Sequence, residues 1–252
     1  MFDFLALPER TTKPRESGLT HVLDKGYSLD QVRQFLEVAV SYVDIVKLGW
    51  GTAAVTPNVK EKVALYQSFG VPVCFGGTFF EVCVLQGKVE EYLALVRECE
   101  MTCVEISDGT IAMEEEDKLA LLRRFAGEFR VLSEVGSKDE SVVITPTKWV
   151  DSIKRELEAG AWKVITEGRE SGTVGIYRPT GDVKDGLLEE IRTAFDTSQL
   201  LFEAPIKKQQ AWFIKHFGSD VNLGNIAPEE VISVETLRLG VRGDTLLHFH
   251  EA

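Results

Sequence analysis

The sequence predicts an α/β protein folded as a single (β/α)8 TIM barrel over residues 1–252, and three observations predict it. Eight short apolar, β-branched runs alternate with longer amphipathic segments. Their ends, from Asp24 to Gly224, span 200 residues, close to the ~30 residues of a βα unit repeated. The runs are continuously apolar rather than alternating, which suits strands covered on both faces in a parallel sheet. The competing architecture is an open doubly wound sheet. It usually carries GxGxxG after its first strand, and VLDKGYS does not fit that pattern.

Taken in order, the strand runs are LTHVLD, VDIVKLGWG, VPVCFGG, CVEISDG, RVLSEVGSK, KVITEGRE, LLFEAP and VNLGNI. The helices between them carry end signals. Ser28 opens the first, with Gln31 three residues on as a capping box. Thr56-Pro57 opens PNVKEKVALYQSFG, with proline expected at the first helical position and Gly70 past the end. Glu114 to Phe125 has acids in its first turn and arginines in its last, matched to the helix dipole. Pro146 to Ala159, Lys184 to Phe195, Ile206 to Phe217 and Pro228 to Leu239 complete the set. Residues 1–17 and the tail 243–252 are expected to be peripheral.

Composition bounds the function. The chain has 44% hydrophobic residues and 14 Phe, enough for a large core and against global disorder. With 28 Lys+Arg against 40 Asp+Glu, the net charge of −12 disfavours nucleic acid and anionic membrane as partners. No apolar stretch is long enough to span a bilayer, and the N-terminus lacks the pattern of a secretory signal. Cys74, Cys83, Cys99 and Cys103 form no CxxC pair, so reduced thiols and a cytoplasmic location are expected. Glu114 to Asp117 and Glu156, Glu158, Glu189, Glu190, Glu229 and Glu230 fall on helices and read as solvated faces.

The chemistry should sit at the carboxyl ends of the strands. These deliver Asp24; Lys47; Gly76-Gly77-Thr78 with Glu81 just after; Glu105, Ser107 and Asp108; Glu134, Ser137 and Lys138; Glu167 and Arg169; Glu203; and Gly224-Asn225. Glu105, Glu134, Glu167 and Glu203 lie on four successive strands, a choice that core packing alone does not explain. Clustered carboxylates need neutralisation, by a hard divalent cation such as Mg²⁺ or by Lys47, Lys138 and Arg169. Lys138, on a Gly-Ser turn just past Glu134, is placed to donate a proton. Lys47 reads as a substrate-anion contact, a Schiff-base nucleophile or half of an internal ion pair. The glycine-rich stretch EGRESGTVGI, with Arg169 and Gly172, and the Gly224-Asn225 turn are candidate phosphate holders. Gly76-Gly77-Thr78 is a further candidate.

The series DIVKLGWGT, FGGTFFE, CVEISDGT, SEVGSKD, ITEGRESGTVGIY, FEAPIKKQQAWFI, NLGNIAPEEV and LRLGVRGDT resembles the phosphosulfolactate synthase family from about Lys13 to Thr245. A plant heat-stress-associated protein family shares many of these motifs. The resemblance implies a TIM-barrel lyase that adds sulfite to phosphoenolpyruvate, with Mg²⁺, giving (2R)-2-phospho-3-sulfolactate for coenzyme M or sulfolactate biosynthesis. It implies Lys138 as the acid that protonates an enediolate-like intermediate. Glu105, Glu134 and Glu167, and then Glu203 and Asp108, are expected as metal carboxylates. Arg169, Gly172, Ser137, Gly224 and Asn225 are expected to bind substrate, with Lys47 assisting. Partners are then the two small-molecule substrates and further copies of the chain in a homo-oligomer. The alternatives are a Schiff-base aldolase using Lys47 or Lys163, and a non-catalytic stress-related homologue.

Overall fold

The computed structural model describes residues 4–139 and 142–250. All eight runs form strands: β1 (Thr20–Asp24), β2 (Ile45–Leu48), β3 (Val73–Phe75), β4 (Cys103–Ile106), β5 (Arg130–Val135), β6 (Lys163–Thr166), β7 (Leu200–Glu203) and β8 (Leu223–Ile226). They make one parallel sheet in the order β3-β2-β1-β8-β7-β6-β5-β4, curled into a nearly closed (β/α)8 barrel. The two ends, β3 and β4, lie side by side, but among the described residues no backbone ladder joins them. Side chains bridge that seam instead. Cys103 Sγ donates to the Val73 carbonyl at 3.4 Å, and the Gly77 N–H donates to Glu105 Oε1 at 2.6 Å.

Helices follow the strands on the outside. They are α1 (Leu29–Ala39), α2 (Thr52–Val55), α3 (Val59–Ser68), α4 (Gly77–Leu85), α5 (Val89–Glu98), α6 (Glu115–Ala126), α7 (Pro146–Glu158), α8 (Asp185–Ala194), α9 (Lys207–Phe217), α10 (Val231–Arg238) and α11 (Leu246–Phe249). The Ser28–Gln31 capping box forms as expected, and α1 buries Val32, Leu36 and Ala39 against the sheet. Such a cap contributes about 1 kcal/mol. Thr145 caps α7 ahead of Pro146 at its first turn.

Three expectations are corrected. Pro57 does not open a helix; α3 starts at Val59 behind Asn58, and a separate short α2 precedes it. The β3–β4 connection holds two helices, α4 and α5, which the end signals did not mark. Glu156 is no solvated residue: it is buried, 2.7 Å from Lys118 Nζ, and accepts from Ser133 Oγ. Burial without those two partners would be too costly for a carboxylate.

Ahead of β1, Arg10 and Arg15 anchor the described chain: Arg10 pairs with Glu235 and Asp220, and Arg15 lies 3.2 Å from Asp44. Thr245 Oγ1 donates to the Leu237 carbonyl at 2.7 Å, and Phe249 packs on the core. All four cysteines are free. Among the described residues no helix is long and apolar enough to cross a membrane.

Candidate active site

The interior of the barrel follows one rule of two. Along β2, β4, β5, β6 and β7 an apolar residue is followed two positions later by a charged one: Ile45 and Lys47, Cys103 and Glu105, Leu132 and Glu134, Ile165 and Glu167, Leu201 and Glu203. Successive side chains alternate faces, so each pair points inward. The lower members form a small apolar plug with Cys74. On the opposite face of the same strands, Val46, Val104, Val131, Val164, Leu200 and Phe202 pack in the larger core cluster toward the helices. The upper, charged members floor a cavity of about 500 Å³ at the carboxyl end of the strands.

Lys47 and all four glutamates are at most 5% exposed. Lys47 Nζ sits 3.2 Å from Glu105 and 3.3 Å from Glu203. Burial alone would discharge this lysine, but the glutamates hold its pKa well above the usual range. Glu105 is pushed up to about 7, by burial first, with Lys47 and the Gly77 N–H opposing. Lys138 departs from the strand at Gly136 and folds back, placing Nζ 2.9 Å from Glu134, 3.6 Å from Glu81 and 3.9 Å from Glu167. Burial opposes its charge, but these carboxylates raise its pKa, so it is a full ammonium with one-fifth of its side chain open to the cavity. Burial raises Glu134 too, but Lys138 and Lys47 overcome that and hold it at about 2. Glu167, buried beside Glu134 and Glu203, is raised well above the ordinary value.

Residues expected from the sequence separate into two groups. Lys47, Lys138, Glu105, Glu134, Glu167, Glu203, Arg169 and Asn225 line the one cavity. Asp108, Ser137, Gly172 and Gly224 do not. The Asp108 carboxylate is turned to Lys118 Nζ at 2.8 Å. Ser137 lines a smaller cleft beside Trp149 and accepts from the Asp139 N–H at 3.1 Å. Gly172 is packed against Gln209, whose Nε2 donates to its carbonyl at 2.8 Å, and its own N–H goes to the Arg169 carbonyl. Gly224 is inside the barrel wall, where a Cβ would collide with Leu201 and approach His21.

The first N–H groups of EGRESGTVGI serve the protein rather than a ligand. The Gly168 and Arg169 N–H groups donate to Glu203 Oε2 at 2.9 and 3.0 Å, and Arg169 N also donates to Glu167 Oε1 at 2.6 Å. Gly77 spends its N–H on Glu105 in the same way. The cavity also presents to an anion the Arg169 guanidinium, which makes one 3.3 Å contact to the Lys138 carbonyl, and the side chain of Asn225. Asn225 Oδ1 is buried without a hydrogen bond.

Glu81 is the residue that sequence reasoning undervalued. It is 1% exposed on α4, accepts from Ser107 Oγ at 2.6 Å and has Oε2 buried with no hydrogen bond. The signal was a single charge in the apolar helix GTFFEVCVL. Lower in the barrel, His21, Cys74 and Glu105 each offer a ligand atom within 4.8 Å of the others, the only such group among the described residues. The Lys47 ammonium already occupies Glu105 there. Burial, and then Lys47, keep His21 neutral.

The comparisons with known proteins agree with this architecture. The family profile of (2R)-phospho-3-sulfolactate synthase (ComA) matches residues 8–244. The chain is 44% identical over 251 residues to the phosphosulfolactate synthase of Methanothermobacter thermautotrophicus, covering 97% of each protein. It is 43% identical over 249 residues to that of Bacillus subtilis, covering 97% of this chain and 99% of the relative. It is 22% identical over 262 residues to Protein HEAT-STRESS-ASSOCIATED 32 of Arabidopsis thaliana, covering 91% and 88%. Among solved structures, the YdjI aldolase of Escherichia coli K12 matches with a TM-score of 0.57 at 15% identity, over 85% of this chain and 76% of that one. At that identity the likeness is of fold alone.

Proposed function

The chain belongs to the phosphosulfolactate synthase family, and from that premise we propose that it adds sulfite to phosphoenolpyruvate to give (2R)-2-phospho-3-sulfolactate. The observation that carries the reading is Lys138: a fully charged ammonium, ringed by three carboxylates and open to the cavity. In the proposed step the sulfur lone pair forms a C–S bond to C3. The C2=C3 electron pair moves onto C2 and spreads into the substrate carboxylate. Lys138 gives its Nζ proton to C2 and regains one from solvent. Lys47 and Arg169 would supply positive charge to the anions, and Asn225, on the same cavity wall, would contact the phosphate. Glu134 and Glu167 keep Lys138 protonated and aimed until transfer.

A divalent cation fits the residues present. Five buried carboxylates, including Glu81, face two lysines, and the Glu81 Oε2 atom has no hydrogen bond. An all-oxygen donor set suits Mg²⁺, which needs only one or two carboxylates beside substrate and water oxygens. Glu134 and Glu167 would hold it, since Glu105 and Glu203 are engaged by Lys47. When bound it would act as a Lewis acid on charge developing in the substrate carboxylate.

The Schiff-base reading loses support from the same geometry. A nucleophilic amine must be uncharged. Lys47 is instead clamped as an ammonium between Glu105 and Glu203, and Lys163 does not line the cavity, its Nζ standing 4.9 Å from the Trp162 ring centroid. The test is to incubate purified protein with phosphoenolpyruvate, sulfite and Mg²⁺ and follow the product by mass spectrometry. Phosphosulfolactate that disappears on chelation is the expected result. No product, or a borohydride-trapped pyruvate adduct insensitive to chelator, would replace this reading.

A further inference from the structure

Among the described residues four other than glycine adopt positive φ, and three of them, Trp50 (52°), Arg169 (57°) and Asn225 (55°), line the cavity. The fourth, Glu100, is in the turn after α5. A side chain in this region strains the backbone, and such strain persists where surrounding structure enforces it, often at functional sites. Arg169 and Asn225 already have a reading as anion holders. Trp50 has none.

Its position is costly twice over. It lies between Gly49 and Gly51, where a third glycine would relieve the φ, and it leaves a large ring 41% exposed. The backbone around it is framed. Gly49 N donates to the Asp24 carbonyl at 2.8 Å and Gly76 N to the Leu48 carbonyl at 2.9 Å. A Cβ on Gly76 would press on Trp50 N and O at 2.8 and 2.9 Å, so the neighbouring turn is pared back to admit this conformation. None of this builds core. It aims an indole into the cavity mouth.

The rest of the cavity gives that indole a purpose. Among the described residues lining it, Leu23 and Trp50 are the only large apolar side chains. They adjoin across Gly49, whose added Cβ would meet Leu23 Cδ1 at 2.7 Å. They lie on the β1–β2 side. In a ring of eight strands that side faces β5 and β6, which bring Lys138, Glu134, Glu167 and Arg169. The cavity therefore has one apolar wall, directly across from its proton donor.

We propose that Trp50, with Leu23, is a substrate-contacting wall that seats the apolar methylene edge of the bound enolpyruvate and turns its charged groups toward Arg169 and Lys138. Lys25, with Nζ 5.7 Å from the indole centroid, adds positive charge to the same lip. The inference deepens the function proposed above and rests on it.

The test compares Trp50→Gly and Trp50→Phe with the wild type in the full chain. Glycine is at ease at this φ, so Trp50→Gly should melt at or above the wild-type temperature. Its KM for phosphoenolpyruvate should nonetheless rise ~10-fold or more, the scale of a lost apolar contact in a specificity pocket. Trp50→Phe should recover most of that affinity. Phosphoenolpyruvate should change tryptophan emission in the wild type and leave it unchanged in Trp50→Phe. If the wild type turns over and Trp50→Gly matches its KM and kcat, the wall is wrong and the function stands. A clear drop in melting temperature for Trp50→Gly would make Trp50 a packing residue. If the wild type forms no product, the functional reading fails and takes the wall with it.

Discussion

Replacing Lys138 by Met removes an ammonium while keeping most of the side-chain volume, and the structure sets two magnitudes for it. The first is catalytic. Loss of a positioned general acid slows a reaction by ~10²–10⁴-fold, or about 3–5 kcal/mol of barrier. The second is thermodynamic. Glu134 is held at about 2 against an ordinary 4.5, which corresponds to about 3 kcal/mol, and Lys138 is the nearer of the two lysines responsible. Assigning it the larger share gives a loss of about 2 kcal/mol at neutral pH, or a fall of ~4–8 °C in melting temperature for a chain of this size. The sign follows from the lowered pKa: the contribution is complete above about 4.5 and vanishes as pH falls through about 2. The gap in stability between wild type and Lys138→Met should therefore close over that acid window. Calorimetry across pH and a product assay by mass spectrometry check both. Lys138→Arg should restore the stability and not the turnover. Wild-type kcat in Lys138→Met, or a stability gap indifferent to acid, would refute the reasoning.

Other outcomes follow from the same geometry. Gly77→Ala should destabilise by about 1–3 kcal/mol and impair turnover, because its Cβ would strike Ser107 and stand 3.0 Å from Glu105 Oε1; denaturant titration and kcat read this out. Lys118→Met should cost about 3–5 kcal/mol by stranding the buried Glu156, with KM little changed, since Lys118 lies outside the cavity. Glu105 runs opposite to Glu134: with its pKa raised to about 7, metal-free protein should lose stability as pH climbs from about 4.5 to 7, and Glu105→Gln should flatten that slope in melting curves. Glu134→Gln should shift the Mg²⁺ concentration needed for turnover upward, and an unchanged titration would remove Glu134 from the proposed donor set.

The fold was legible because its signals are local. Each strand run is short, apolar and ended by a polar cluster, and Ser28, Gln31 and Pro146 mark helix starts within a few residues. The inward set was legible for a related reason: a step of two carries Ile45 to Lys47 and Leu132 to Glu134 on one face. What local spacing does not encode is where a backbone N–H is spent. The glycines of EGRESGTVGI look ready for an anion, yet the N–H groups of Gly168 and Arg169 are drawn to Glu203, a residue on another strand. Glu156 reads as surface because its partners, Lys118 and Ser133, come from α6 and β5. Glu81 was obscured because α4 starts on a glycine pair that reads as a turn.

The unlaced joint between β3 and β4 carries a last implication. Gly77 bonded to Glu105 and Ser107 bonded to Glu81 fasten it with groups at or beside the proposed reaction centre. Closing the cylinder and poising the chemistry are thus one act. Any opening of this joint would scatter Glu81 and Glu105 before the remaining strands part. Amides flanking it should exchange with deuterated solvent earlier than those of β1 and β8, and a ligand that grips the glutamates should slow that exchange.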